Sequence, residues 1–235
     1  RQLIEGGYKD ITLLGQNVNS YGKNLSQPVN FAGLLKEISN MEGDYWLRFM
    51  TSHPKDCTKE LIDVMASSEH IAKHLHLPFQ SGNNRVLKEM NRRYTREQYL
   101  EMIGYAREKM PGLSITSDVI VGFPGETEEE FAQSKAFIDK VNFYETHVFK
   151  YSKRAGTRAA QMEEQVPESV KTIRSNELLE LTRRKQASYE EALIGTTQEV
   201  LMEEEMVCQG EKYQVGHTKE YVKIGQKTEE NLQIS

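Results

Sequence analysis

The stretch Ser117-Asp118-Val119-Ile120-Val121-Gly122-Phe123-Pro124-Gly125-Glu126-Thr127 joins an apolar run to a turn rich in glycine and proline. Thr127 and Glu130 have the spacing of a capping box, so a helix is predicted to begin directly after the turn. A buried strand that leads through such a turn into a helix is typical of parallel α/β folds, whose ligands bind at the carboxyl ends of the strands. No G-x-G-x-x-G and no Walker lysine is present, so neither a dinucleotide site nor a phosphate loop is indicated. A ligand-binding turn and an ordinary βα turn both remain open.

The same order of strand, turn and helix recurs along the chain. Strands are predicted at 11–14, 46–50, 74–77, 118–121 and 146–151. The segments between them carry helical patterns, such as the stripe of Phe31, Leu34, Leu35 and Ile38. Strands separated by helices pair in parallel through right-handed crossovers. The predicted fold is therefore a parallel α/β sheet, open or barrel-like.

Polar side chains lie at the end of each of these predicted strands. They are Gln16, Asn17 and Asn19; Ser52 and His53; Gln80 and Ser81; Asp118; and Lys150 and Ser152. In a barrel the strand ends converge on one face, and convergent polar groups in a pocket are typical of a ligand site. We therefore expect a shared ligand site, although a solvated loop explains any single residue. For His53, a turn-capping role before Pro54 is the alternative.

The composition changes near residue 186. Residues 1–185 carry the α/β pattern, whereas residues 186–235 begin with the end of a long polar helix, predicted to finish near Gly195. Short β segments at 197–203, 212–218 and 221–224 then predict a small all-β, barrel-like module. The chain opens on the end of a helix with no strand before it, and a small closed barrel usually needs about five strands. Both ends are therefore expected to be truncated.

Cysteine usage and charge limit the functional classes. Cys57 and Cys208 lie far apart without metal-ligand spacing, which favours free thiols in a reducing cytosol over a disulfide. The net charge of −5 argues against a broad nucleic-acid-binding surface. No signal peptide or transmembrane run is recognised, so a cytoplasmic protein is expected. Local basic clusters are Lys88, Arg92, Arg93 and Arg96; Lys150, Lys153, Arg154 and Arg158; and Arg183, Arg184 and Lys185.

Several stretches together resemble the methylthiotransferases of the radical-SAM superfamily. They are ITLLGQNVNSYG (11–22), SHP (52–54), LHLPFQSGNNRVLKEMNRR (75–93), DVIVGFPGET (118–127) and FKYSKRAGTR (149–158). Within that family, GQNVNSYG favours the members that act on N(6)-dimethylallyladenosine in tRNA. Members that act on a ribosomal protein or on threonylcarbamoyl-adenosine are the alternative. The segment GHTKEYVK (216–223) resembles part of a TRAM domain, a small RNA-binding β-barrel.

The resemblance implies a tRNA methylthiotransferase that inserts a methylthio group at carbon 2 of the modified adenine in the anticodon loop. It implies S-adenosyl-L-methionine and two 4Fe-4S clusters as cofactors, together with sulfur and electron donors. A partial TIM-like radical-SAM core (1–185) would precede a partial TRAM-like RNA-binding domain (186–235). The family's C-x-x-x-C-x-x-C loop is absent from this sequence, and clusters need thiolate ligands. This chain alone is therefore expected to bind no cluster and to be inactive; a non-catalytic RNA-binding piece is a further alternative.

The resemblance also implies positions for ligand contacts. Gly15, Gln16 and Asn17 would meet the methionine amino and carboxylate groups, while Ser52, His53, Gln80 and Ser81 would face the ribose and methionine. Val121, Gly122, Phe123 and Pro124 would form the turn that packs on adenine. Asp118, on the strand that leads into this turn, is a further candidate cofactor contact. Arg154 and Arg158, with Lys219 and Lys223 of the β module, are the candidate RNA contacts. The glutamates of that module leave open that its lysines and tyrosines serve the fold instead.

Overall fold

The computed structural model describes residues 1–26, 29–50 and 52–228. The helices are α1 (Gln2–Glu5), α2 (Phe31–Ser39), α3 (Lys59–Ser67), α4 (Asn84–Glu89), α5 (Arg96–Lys109), α6 (Glu128–Val141), α7 (Arg158–Gln161) and α8 (Glu168–Glu191). The strands are β1 (Asp10–Leu13), β2 (Trp46–Phe49), β3 (His74–His76), β4 (Ser114–Val121), β5 (Glu145–Lys150), β6 (Val200–Cys208), β7 (Glu211–Thr218) and β8 (Lys223–Lys227). Two 3-10 turns, Val18–Ser20 and Pro54–Asp56, follow β1 and β2.

The first five strands pair in parallel throughout the described residues, which confirms the predicted α/β sheet. β1 pairs with β2, while β4 lies between β3 and β5. A parallel bridge between Leu47 and Ile71 connects the two groups. The predicted start of β4 was wrong, because the strand begins at Ser114 rather than at Asp118. Buried Ser114, Thr116 and Ser117 break the apolar run there, although they lie within the sheet.

Alternation along the strands separates two faces of the sheet. Leu47, Leu75, Ile115 and Val119 point into the apolar core with the helices. The opposite face, here called the inner face, carries alternate residues that are mostly polar: Asp10, Thr12, Trp46, Arg48, His74, His76, Thr116, Asp118 and His147. In parallel sheets that have helices on one face and polar side chains on the other, the carboxyl ends of the strands form the ligand site.

The helices begin where the sequence places their caps. Thr95 with Gln98, and Thr127 with Glu130, each form a capping box in which both reciprocal hydrogen bonds are present. Each pair satisfies two backbone N–H groups that the helix leaves unpaired. The turns that precede α5 and α6 are therefore fixed locally, and the turn before α6 directly follows the end of β4.

The β module is an antiparallel sheet in the order β6-β7-β8. β6 was predicted at 197–203 but runs from Val200 to Cys208, and the third strand begins at Lys223 rather than at Tyr221. A bulge lies between Met202 and Glu204. The helix α8 continues to Glu191, so the boundary predicted at 185/186 falls inside it. In the described part of the chain, no helix has the length and apolar character to span a membrane.

Candidate ligand site at the carboxyl ends of the strands

A cavity of about 400 Å³ lies beyond the carboxyl end of β1, lined by Gly15, Asn17 and Tyr21 among others. Asn17 donates through Nδ2 to Asp56 Oδ2 at 2.7 Å, which ties the β1 turn to the turn after β2. Burial raises the pKa of Asp56, but hydrogen bonds from Lys23 and Asn17 outweigh it and lower the pKa overall. Asn17 Oδ1 is buried and has no hydrogen-bond partner among the described residues. It is therefore an acceptor available to a ligand.

Ser52 and His53 follow β2 but have different surroundings. Ser52 is buried, and its Oγ has no partner in the described part of the chain. His53 Nδ1 lies 3.2 Å from the Lys55 N–H and caps the turn Pro54–Asp56, which matches the capping alternative. Burial, and then the charge of Arg92, lower the pKa of His53, so its ring is neutral at pH 7. A ligand contact by His53 stays a prediction.

Arg92 is a residue of this site that the sequence placed only within a basic cluster. Its Nη1 lies 3.2 Å from His53 Nε2. Its Nε is buried without an acceptor, and no described carboxylate forms an ion pair with it. An unpaired buried donor on a cation needs an explanation, and an anionic group of a ligand supplies one. The basic MNRRY segment was the available signal, but the direction of the Arg92 side chain depends on the turn after α4.

A second cavity, of about 450 Å³, lies at the ends of β3, β4 and β5. Its polar lining includes Gln80, Asp118, Lys150, Ser152 and Arg154, and its apolar lining includes Ile120, Phe149 and Tyr151. Gln80 has a left-handed φ of 66°, and its backbone N–H donates to Asp118 O while its O accepts from the Ile120 N–H, both at 2.9 Å. Tyr151 has a buried hydroxyl with no described partner. Polar acceptors beside the exposed ring of Phe149 suit a nucleoside-like ligand.

The remaining strand-end residues pack inward. Ser81 Oγ lies 3.4 Å from Ser134 Oγ and accepts the Asn83 N–H at 3.2 Å. Val121, Gly122, Phe123 and Pro124 are all buried, and the Phe123 ring meets Tyr151 edge to face at 5.4 Å. Gly122 has a φ of 70°, and a Cβ there would lie 2.4 Å from Lys171 Cγ. These residues shape the loops, and direct ligand contact by them stays a prediction. Gln16 is exposed and lies in the chain between Gly15 and Asn17, which line the first cavity, so a ligand contact by Gln16 also stays a prediction.

The four candidate RNA contacts do not form one surface. Arg154 lines the second cavity, and Arg158 pairs with Glu89 at 2.9 Å. Lys219 pairs with Glu199 at 3.2 Å and covers the ring of Trp46, the first residue of β2. It therefore lies at the amino ends of the strands, opposite the two cavities. Lys223 pairs with Glu204 at 3.4 Å.

The residues present fit a polar organic ligand better than a metal cluster. No group of three or more His, Cys, Asp or Glu side chains with metal-binding geometry occurs among the described residues. Burial raises the pKa of Cys57 to about 12, so it is a buried thiol, and Cys208 lies exposed on β6. Iron–sulfur clusters need several thiolates. The unpaired atoms of Asn17, Ser52 and Tyr151 are instead hydrogen-bonding positions of the kind that a polar organic ligand uses.

Comparison with known proteins points to one superfamily. Residues 1–138 match the radical SAM superfamily. The chain is similar to tRNA-2-methylthio-N(6)-dimethylallyladenosine synthase of Desulfitobacterium hafniense (strain Y51), with 47% identity over 203 residues that cover 86% of this chain and 45% of the relative. The corresponding protein of Carboxydothermus hydrogenoformans is 50% identical, with coverages of 86% and 46%. The chain thus spans about half the length of these curated relatives.

One solved structure supports the fold. Coproporphyrinogen III oxidase from Escherichia coli, described as a radical SAM enzyme, has a TM-score of 0.52 to this chain at 19% identity. The likeness covers 65% of this chain and 36% of that one. At this identity it supports the partial barrel architecture only.

Proposed function

The chain belongs to the radical SAM superfamily, and on that premise we propose that it is part of a tRNA methylthiotransferase. The proposed reaction inserts a methylthio group at carbon 2 of N(6)-dimethylallyladenosine in a tRNA anticodon loop. The observation that carries the proposal is the identity of 47% and 50% to two curated synthases over 86% of the chain. Cytoplasmic location follows from the proposed substrate.

The proposed roles of the chain's residues are binding and exclusion of water. Asn17 and Ser52 offer unpaired atoms for the methionine end of S-adenosyl-L-methionine, and Arg92 offers an unpaired donor for an anionic group. Gln80 and Asp118 line the neighbouring cavity. S-adenosyl-L-methionine would supply the radical chemistry, while the protein positions the reacting groups. No thiolate set of this chain fits a cluster, so cluster ligation is assigned to none of its residues.

We expect a chimera to test the function and the site together. This chain replaces the aligned segment of the Carboxydothermus hydrogenoformans relative, whose remaining length is retained. After anaerobic reconstitution, the chimera should form 2-methylthio-N(6)-dimethylallyladenosine in tRNA, detected by mass spectrometry of nucleosides. Asn17→Ala and Ser52→Ala should each weaken S-adenosylmethionine binding by about 1–3 kcal/mol, because a buried hydrogen bond to the ligand is removed.

Asn24→Ala is the matched control, since Asn24 is exposed in the loop after the first cavity. Calorimetric titration should show no change of affinity for this variant. A folded, cluster-loaded chimera that leaves tRNA unmodified would overturn the proposed function. Equal losses of affinity for Asn17→Ala, Ser52→Ala and Asn24→Ala would instead overturn the proposed site.

Charge reversal at Arg154 and Arg158 should weaken tRNA binding by the same chimera. Every phosphate that is no longer neutralised also reduces the slope of log affinity against log salt by about 0.7, because fewer counterions are released. The double reversal Arg183→Glu with Arg184→Glu is the control, since it makes the same charge change at two exposed positions of α8. Filter binding over a salt series measures both quantities. An unchanged affinity and slope in the double reversal would place the RNA path elsewhere.

A further inference from the structure

The turn between β7 and β8, residues 218–222, is a compact loop that is anchored at both ends. Thr218 is 0% exposed and Val222 is 1% exposed. The Thr218 N–H donates to Val222 O at 3.0 Å, and the Val222 N–H donates back to Thr218 Oγ1 at 3.3 Å. Tyr221 adopts a left-handed φ of 68°, which is costly for a bulky residue. Such strain persists only where the surroundings hold the residue in place.

Arg48 of β2 helps to hold the 218–222 turn in place. Its side chain is buried, and it donates through Nη1 to Lys219 O at 2.8 Å and through Nη2 to Thr218 O at 2.7 Å. Its Nε donates to Asp10 Oδ2 at 2.6 Å. One guanidinium thus joins two carbonyls of the β module to an acid of β1. Hydrogen bonds of charged groups are the stronger kind.

Aromatic stacking also holds the Tyr221 side chain in place. The Tyr221 ring stacks on His74 at 5.1 Å and on His217 at 4.8 Å, and the Arg48 guanidinium lies 5.2 Å from the Tyr221 ring. His74 hydrogen-bonds Thr116 across the sheet at 2.9 Å. Burial, with Arg48 as a further cause, lowers the pKa of His74 to about 3, so the stacked ring is neutral at pH 7.

These contacts all lie at one end of the strands. Asp10, Trp46 and His74 are the first residues of β1, β2 and β3. Tyr221 is 40% exposed, whereas His74 beneath it is 4% exposed and Trp46 is 7% exposed. The turn therefore covers the amino end of the inner face, and the two cavities of the candidate site lie at the carboxyl end.

We propose that residues 218–222 form a plug that closes the amino end of the inner face, and that Arg48 and Tyr221 are the positioning residues that hold it. A ligand would then not enter from the amino ends of the strands. The contacts described above support the plug whatever the chain does. Its role, which is to exclude water from a radical reaction at the carboxyl end of the strands, rests on the proposed function.

The test uses Trp46, the single tryptophan of the chain, as a reporter beneath the plug. Tyr221→Ala should increase acrylamide quenching of Trp46 fluorescence several-fold. It should also expose His74 to carbethoxylation, located by mass spectrometry, with exposed His147 as the internal positive control. Tyr221→Phe should give the same Trp46 quenching and His74 modification as the unsubstituted chain, because no described residue hydrogen-bonds the Tyr221 hydroxyl. Tyr213→Ala on the same module should also leave Trp46 protected.

Arg48→Lys gives a second measurement in case Tyr221→Ala unfolds the chain. It keeps a charge beside Asp10 but cannot donate to both carbonyls with the geometry of a guanidinium. It should open the plug, with Trp46 quenching and His74 modification rising together. A natively folded Tyr221→Ala or Arg48→Lys that keeps both residues protected would overturn the plug. No cofactor or tRNA is used, so this outcome is independent of the proposed function.

Discussion

Replacement of Arg174 by methionine is expected to lower the free energy of unfolding by about 3–5 kcal/mol, the cost of leaving a buried charge unpaired. Arg174 of α8 donates through Nη1 to Glu126 Oε2 at 2.9 Å and to Glu126 O at 3.0 Å. Both side chains are almost fully buried. Glu126 Oε2 also accepts the Gly122 N–H at 2.6 Å, so this ion pair holds the turn after β4 against α8.

The loss of stability should grow with pH. Burial raises the pKa of Glu126 above its ordinary value of 4.5, although the Gly122 N–H and Arg174 oppose the shift. A carboxyl group with a raised folded-state pKa favours folding at low pH, and that contribution disappears as pH rises through the folded pKa. Without Arg174 the pKa of Glu126 rises further. The destabilisation should therefore be larger near pH 8 than near pH 5.

Urea unfolding at the two pH values measures this prediction. Arg184→Met makes the same chemical change at an exposed position of α8 and should alter stability by no more than about 0.5 kcal/mol. The double variant Glu126→Gln with Arg174→Met should recover part of the loss, because the lone buried carboxylate is removed. A single variant no less stable than Arg184→Met would show that the pair does not hold the turn.

Phe79→Ala is the second substitution with a large expected effect, a loss of about 3–5 kcal/mol in unfolding free energy. Phe79 is 1% exposed. Its ring lies 5.1 Å from Phe137 and 5.4 Å from Phe143, in an aromatic cluster beneath the second cavity. Truncation removes the packing of the ring against its neighbours and leaves a void that the surrounding helices fill only in part.

The same change should disturb the ligand site, because Phe79 directly precedes Gln80. The Phe79 N–H donates to Ser117 Oγ at 3.0 Å, and Phe79 O accepts from Tyr94 at 3.0 Å. Phe149→Ala is the control, since that ring is half exposed in the cavity wall and should cost little stability. Urea unfolding compares the free energies of unfolding of the Phe79→Ala and Phe149→Ala variants. A similar small loss for both variants would contradict the role assigned to the aromatic cluster.

Features that depend on neighbouring residues were predictable from the chain alone. The capping boxes at Thr95 and Thr127, the five parallel strands and the three strands of the β module follow from short-range spacing and periodicity, and the structure confirms them in the described residues. The start of β4 was missed because Ser114 and Thr116 are polar. Thr116 is nevertheless buried within the sheet, and its hydroxyl hydrogen-bonds His74 and His76 of β3.

The partners of polar side chains depended on distant contacts. The sequence placed Asn17 and Ser52 at strand ends, but only the packing of the turns leaves their atoms buried and unpaired. Arg92 belonged to a basic cluster and Lys219 to the β module, yet Arg92 lies beside His53 and Lys219 lies at the opposite end of the strands. Arg48 bonds a carbonyl 171 residues away. Periodicity reports which face a residue occupies, whereas its partner is set by the three-dimensional path of the whole chain.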